Sequence, residues 1–176
     1  MKIETERLLI TDFTPDMAQA VFENSLDEDN RRFVPDEVYE NVDEARQTLA
    51  FLISQYERTD GPLVYPIIRK QDGSNIGYVQ IVPIGYGKWE IGYHIAKAYT
   101  GNGYATEAAK AFLPVIANTL GIKEVYGICL SDNMASKKVL DNCGFEMLFE
   151  GIGDYQGEKR KIYRSIWKQN CNMGVK

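Results

Sequence analysis

The sequence predicts a mixed α/β (α+β) domain, and three observations predict it. Runs 63–69, 74–82 and 88–95 are rich in β-branched and aromatic residues and are separated by glycine turns. Other stretches place apolar residues at helical spacing. Between the last β-rich run and an alanine-rich helix stands a turn with two glycines, Gly101 and Gly103. In chain order the elements read strand, two helices, three strands, helix, strand, helix, two strands, which makes about seven strands flanked by four helices.

Residues 7–12 read as the first strand. Thr14 followed by Pro15 has the pattern of an N-cap with proline at the first helical position, so a helix runs to about Ser25. Residues 26–40 mix acids with Arg31-Arg32 and Phe33-Val34-Pro35 without a period, and read as a long loop or broken helix of the kind that often serves function. Asn41, with Glu44 three positions on, opens a second helix whose face of Val42, Ala45, Leu49, Leu52, Ile53 and Tyr56 extends it to about Arg58. The three β-rich runs, joined by Gln71-Asp72-Gly73 and Gly85-Tyr86-Gly87, form an antiparallel meander. A third helix, Tyr104–Leu120, ends on Gly121 and turns Ala108, Ala109, Phe112, Leu113 and Ile116 to the sheet, while Pro114 should kink or divide it. Glu124–Leu130 is a strand, 133–142 a fourth helix stopping before Gly144, and two last strands flank Tyr155-Gln156-Gly157-Glu158. The expected organisation is a single domain, 1–168, with a polar tail, 169–176.

A chain of 176 residues, 44% of them apolar, suits one domain with a substantial core. Apolar runs are too short to cross a bilayer and the start lacks the regions of a signal peptide, so a cytoplasmic protein without a membrane partner is expected. A net charge of −5 supplies no basic field and disfavours direct nucleic-acid binding. The cysteines Cys129, Cys143 and Cys171 and the single histidine, His94, lack metal-ligand spacing, so no metal is expected, and Cys129 and Cys143 read as small core residues.

The run Tyr99-Thr100-Gly101-Asn102-Gly103-Tyr104-Ala105-Thr106 sets a glycine-rich turn at the start of a helix. There, unpaired backbone N–H groups and the positive dipole end attract phosphate, which points to a phosphorylated cofactor. It is no Walker loop, since Tyr104 and Ala105 follow Gly103 where Lys and Ser or Thr are needed. A dinucleotide loop is also a poor match, because Thr106 stands where a third Gly or Ala belongs.

The run instead resembles the pyrophosphate loop of the GNAT acetyltransferases, whose six positions read Arg or Gln, two of any kind, Gly, any, then Gly or Ala. Thr100-Gly101-Asn102-Gly103-Tyr104-Ala105 matches that pattern except at Thr100. A second GNAT pattern runs from Asn133 through Ser136 and Leu140 to Gly144-Phe145, with Ser136 in the usual Ala place and Leu140 in the usual Tyr place. Those departures, and the opening Glu4-Thr5-Glu6-Arg7-Leu8-Leu9-Ile10, resemble the branch that acetylates ribosomal-protein N-termini (RimJ/RimL type). The resemblance covers roughly residues 3–168. It implies a mostly antiparallel central sheet whose fourth and fifth strands run parallel and splay apart to admit acetyl-CoA.

The implied reaction moves acetyl from acetyl-CoA to a primary amine by direct attack. An amine of pKa near ~10.4 must lose a proton, negative charge on the carbonyl oxygen must be stabilised, and thiolate must leave. The resemblance assigns the backbone N–H at Ile95 to the oxyanion, the Gly101, Asn102, Gly103, Tyr104, Ala105 and Thr106 turn to the diphosphate, and Asn133 to the pantetheine arm; Asn133 is equally a helix cap. Ser136 is the candidate donor to the departing thiolate, or else a small residue packed on the sheet. Glu90 is the candidate base, acting through water, against the alternative of an exposed strand glutamate. By alternation Glu90 shares a face with Gly92 and with His94, the competing base, unless the bulge that the family's strand carries reverses the parity. Asp27, Glu28, Asp29, Asp36 and Glu37 could draw a cationic amine or simply form a solvated loop. The expected activity is acetyl-CoA-dependent N-acetyl transfer to a protein N-terminus or small amine. A noncatalytic CoA-binding protein and another phosphate-binding enzyme are the alternatives, and a homodimer is left open.

Overall fold

The computed structural model describes residues 1–28, 31 and 38–169. Its strands are β1 (Lys2–Glu4), β2 (Leu8–Thr11), β3 (Leu63–Arg69), β4 (Asn75–Pro83), β5 (Trp89–Ile95), β6 (Glu124–Leu130), β7 (Glu146–Tyr155) and β8 (Glu158–Lys168). They form one eight-stranded sheet in the order β1-β2-β3-β4-β5-β6-β8-β7. Every neighbouring pair is antiparallel except β5 and β6. Helices α1 (Ala18–Ser25) and α2 (Val42–Ser54) pack on one face, and α3 (Tyr104–Leu120) and α4 (Met134–Asn142) on the other.

The order of elements is the one the periodicity predicts, with one strand more. β1 is only three residues long and is held by Lys2↔Thr11 and Ile3↔Ile10 pairing, which moves the parallel pair to fifth and sixth place. Thr14 does not cap through its side chain; its carbonyl accepts from the Met17 N–H at 3.0 Å and closes a 3₁₀ turn, Pro15–Met17, ahead of α1. Asn41 does cap, accepting the Glu44 N–H at 3.0 Å while the Glu44 carboxylate reaches back to the Glu40 N–H at 2.7 Å. α2 stops at Ser54, short of Arg58, and Tyr56 beyond it ties two elements together: its hydroxyl donates to the Val64 carbonyl (2.7 Å) and accepts from the Phe13 N–H (2.9 Å). α3 runs unbroken through Pro114. That proline is exposed, so the carbonyl it leaves without an intrahelical donor, on exposed Lys110, faces water.

Phe112, Leu113, Ile116, Ala108 and Ala109 of α3 are fully buried against Leu8, Ile10, Ile67 and Ile81 of the sheet, as the helical spacing predicts. Phe13, Ala18, Leu49 and Val64 make a smaller cluster on the opposite face. Cys129 and Cys143 are buried, and burial pushes both thiols up to about 11, so they remain neutral. Gln156 and Gly157 both take positive φ (52° and 82°) in the two-residue turn between β7 and β8, the geometry that matches strand twist. No helix among the described residues is long and apolar enough to cross a membrane. Cys171, Asp29, Asp36, Glu37 and most of the expected tail lie outside the described residues.

Candidate active site

β5 and β6 are seven residues long and run parallel, yet they meet at one position, Glu90↔Tyr126. Past that rung they diverge, and a cleft of about 610 Å³ opens between them, lined by Tyr93, Ile95, Cys129, Asn133 and Ser136 among others. Hydrogen-bond alternation fixes which way β5 faces. The Ala96 N–H donates to the Ile76 carbonyl of β4 at 2.9 Å, so the amides of Ile95 and Tyr93, one and three residues earlier, point to the other edge, at the cleft. The register along β4 and β5 is uninterrupted from Gly77↔Ile95 to Pro83↔Trp89. The bulge that the resemblance put on the catalytic strand sits on β4 instead, where Ile67↔Gly77 is followed by Ile68↔Asn75. Gly77 is required there: a Cβ would lie 2.0 Å from the His94 carbonyl oxygen.

At the mouth of the cleft Gly101 and Gly103 adopt left-handed conformations, φ 80° and 79°. The first intrahelical bond of α3 is Glu107 N–H to the Gly103 carbonyl (3.0 Å), so the N–H groups of Tyr104, Ala105 and Thr106 precede the ladder and form the helix's donor end. Thr100 hydrogen-bonds back to the Lys97 carbonyl (2.9 Å), and Asn102 does likewise to the carbonyls of Tyr99 and Thr100. The cradle is therefore backbone. An arginine does stand at the loop, but from far away in sequence. Arg7 donates to the Asn102 carbonyl (3.0 Å), pairs with Glu107 (2.6 Å) and lies 4.5 Å over the Tyr104 ring. Glu107 also accepts from Thr5 Oγ1 (2.6 Å) and the Arg7 N–H (3.1 Å), so the opening segment Thr5 to Arg7 braces the loop. With its side chain only 19% exposed, Glu107 should hold these bonds firmly. Glu107→Ala is expected to lower stability by about 2 kcal/mol in urea unfolding, because three donors lose a charged acceptor. A loss under ~0.5 kcal/mol would reduce the brace to an ordinary surface ion pair.

Asn133 caps α4, its Oδ1 accepting the Ser136 N–H at 3.0 Å, and it also lines the cleft. Ser136 follows one turn on, with its Oγ 3.0 Å from the Tyr93 hydroxyl, which is also 3.1 Å from the Ser136 carbonyl. Tyr93 is held on the α3/α4 face by strand alternation with Ile91 and Ile95. Burial raises its pKa and the Ser136 bond partly opposes that, so it stays a neutral phenol. Sequence reasoning overlooked Tyr93, although the parity that put Glu90 on one face put Tyr93 on the other.

Glu90 lies at the closed end of the cleft on the opposite face, so the structure does not bring it to Ser136. Burial pushes its pKa up to about 7, against the attraction of the Arg164 guanidinium. His94 is one residue from Ile95, its Nε2 3.5 Å from Asp27 Oδ2 and its ring 5.9 Å from that of Tyr78. Asp27 is no solvated loop acid: the same oxygen accepts the Lys97 N–H at 3.0 Å. Glu28 is exposed. Tyr78, Gln80 and His94 also wall a second, mainly apolar cavity of about 150 Å³ beneath α1 and α2.

A cleft between splayed parallel strands, with a helix N-terminus at its mouth, defines a class of acyl-transfer folds. Residues 7–146 match the acetyltransferase (GNAT) domain model, and the chain belongs to that family of acetyl-CoA-dependent N-acetyltransferases. It is 28% identical over 145 residues to an uncharacterized N-acetyltransferase, YnaD, of Bacillus subtilis, covering 82% of each chain. Its fold is similar to that of RimL, a ribosomal L7/L12 alpha-N-protein acetyltransferase solved with coenzyme A (TM-score 0.80, 18% identity, 96% and 98% of the chains). It is likewise similar to a ribosomal-protein-S5-alanine acetyltransferase from Vibrio fischeri (TM-score 0.82, 14% identity, 97% and 98%).

Proposed function

We propose that residues 1–168 act as one cytoplasmic domain that moves the acetyl group of acetyl-CoA directly to a primary amine, of a protein N-terminus or a small molecule, in a ternary complex. The observation that carries this reading is the gap beyond the single Glu90↔Tyr126 rung, with the Ile95 amide facing it and the α3 donor end at its mouth. Gly101 to Thr106 would hold the diphosphate through backbone N–H groups, and Asn133 the arm between diphosphate and thioester. Acetyl-CoA supplies an activated acyl group on a thiol leaving group. The Ile95 amide stabilises charge developing on the acyl oxygen, a contribution of ~2.7 to 4 kcal/mol for one preorganised donor. Ser136 gives the departing sulfur a proton.

Glu90, reached through water, takes the proton that the amine loses; a base with pKa about 7 is half ionised at neutral pH. His94 is a second reading favoured by position, since it lies next to Ile95 and Asp27 orients it. A pH–rate profile separates the two. If Glu90 is the base, kcat rises with pH through about 7, and Glu90→Gln lowers kcat and removes that acidic limb, whereas His94→Gln leaves the limb in place. If the limb vanishes with His94→Gln alone, Glu90 is not the base.

The same pKa has a stability sign. The folded chain holds the Glu90 proton up to about 7 and the unfolded chain releases it near 4.5, so stability falls as pH rises through that window. Glu90→Gln should therefore raise the melting temperature more at pH 8 than at pH 5. The activity itself is tested by thermal shift with acetyl-CoA, followed by thiol release over a panel of amines. Absence of both stabilisation and thiol release would end the proposal.

A further inference from the structure

Arg164, on β8 at the Ile128↔Arg164 pair, lines the cleft, and no other Lys or Arg does so among its described lining residues. Its Nε is buried and has no hydrogen-bond partner among the described residues. Such a donor is costly to leave unmade, and a guanidinium in a cleft is suited to a carboxylate. Glu90 attracts it through space without a hydrogen bond joining them. Strand parity places both groups on the face away from Ser136: Glu90 pairs with Tyr126, Ile128 lies two residues on, and Arg164 faces Ile128. Hence Arg164 stands on the side of the gap opposite Asn133, Ser136 and Tyr93, where the acceptor rather than the coenzyme arm would enter.

Resting on the acetyltransferase reading above, we propose that Arg164 recognises the acceptor, and that the acceptor is a primary amine bearing a carboxylate several bonds from its nitrogen. The spacing follows from sheet geometry. Ile95 is three residues beyond Gly92, the expected neighbour of Ile128, and Arg164 is two strands away. At ~3.3 Å per residue and ~4.8 Å per strand the two backbones would stand roughly 14 Å apart in an unsplayed sheet; the gap between β5 and β6 lengthens that span and the arginine side chain shortens it. An amine and carboxylate joined by a short carbon chain fit that span. Two sources offer this chemistry, a free amino carboxylate and a peptide whose first residues carry an acidic side chain.

The test compares kcat/KM for a series of ω-amino carboxylates with that for their methyl esters, and for peptides with acidic or amide side chains at the first two positions. The wild type is expected to prefer the carboxylate by about ten-fold or more, since a site built for a charged partner rejects the analogue that leaves it unpaired. Arg164→Gln should bring the ratio to about one, and Arg164→Lys, which keeps the charge without the fork, should retain part of it. Preference confined to the peptides would identify the peptide as the source. Equal kcat/KM in the wild type for carboxylates and esters, together with equal kcat/KM for the acidic and amide peptides, overturns the proposal while acetyl transfer stands. So does a preference that survives Arg164→Gln in protein shown by its melting curve to be folded. If coenzyme binds but no amine is acetylated, the acetyltransferase reading itself fails and this one falls with it.

Discussion

Gly103→Val is expected to raise the KM for acetyl-CoA at least ~100-fold, a loss of about 2.7 kcal/mol of binding. The residue sits at φ 79°, where a β-branched side chain is strained by ~1 to 3 kcal/mol. The loop is exposed and would relieve that strain by moving, which turns the Tyr104, Ala105 and Thr106 amides away from one shared point. The new side chain would also press towards Arg7, since even a Cβ stands 3.7 Å from Arg7 Nη2. Gly121→Val is the matched control: its φ is 66°, nothing lies within 4 Å of the added carbon, and it caps the end of α3 farthest from the loop. It should lower the melting temperature without changing KM. Equal KM values for Gly103→Val and wild type, by kinetics and by calorimetric titration of coenzyme A, would mean that the diphosphate is held elsewhere.

Ser136→Ala is expected to lower kcat about 10²-fold with little change in KM, the lower end of the range for a positioned acid. The lower end is chosen because a thiol ionising near ~8.5 leaves fairly well unaided. Tyr93→Phe should cost about ten-fold, for a different reason. A phenol has one proton; when Tyr93 gives it to Ser136 Oγ, the serine hydrogen is released towards the cleft, and when it goes to the Ser136 carbonyl, the serine hydrogen can turn back to the phenol oxygen. Tyr93 would thus direct the serine proton rather than donate its own. The double variant should then be no slower than Ser136→Ala alone. Multiplied losses would show Tyr93 acting independently, and an unchanged kcat for Ser136→Ala would remove both from the reaction.

Local signals explain what could be read in the letters. The α3 face of Ala108, Phe112, Leu113 and Ile116, the Asn41 cap and the Gly101-Gly103 turn follow from helical period, capping chemistry and positive φ, which act within a few residues. Alternation along β5 also held, so Glu90, Gly92 and His94 do share a face. What stayed hidden depends on pairing between distant segments. β1 is too short to show a period. Arg7 reaches the loop only because β2 lies beneath α3, and Tyr93 meets Ser136 only across the gap between β5 and α4. Arg164 drew no attention because one arginine among the basic residues of β8 reads as solvated. Neither could sequence show that Asp27 is spoken for by His94 and Lys97, or that the bulge belongs to β4 rather than β5.

With one rung between β5 and β6, the sheet is two rafts moored at a single point, β1 to β5 on one side and β6, β8 and β7 on the other. A pantetheine chain lying in that seam would offer amides where a neighbouring strand would have offered them. The reagent would then double as a temporary strand, and each release of spent coenzyme A would return the sheet to a single rung across the seam, with the shared core beneath α3 and α4 left to hold the two rafts together.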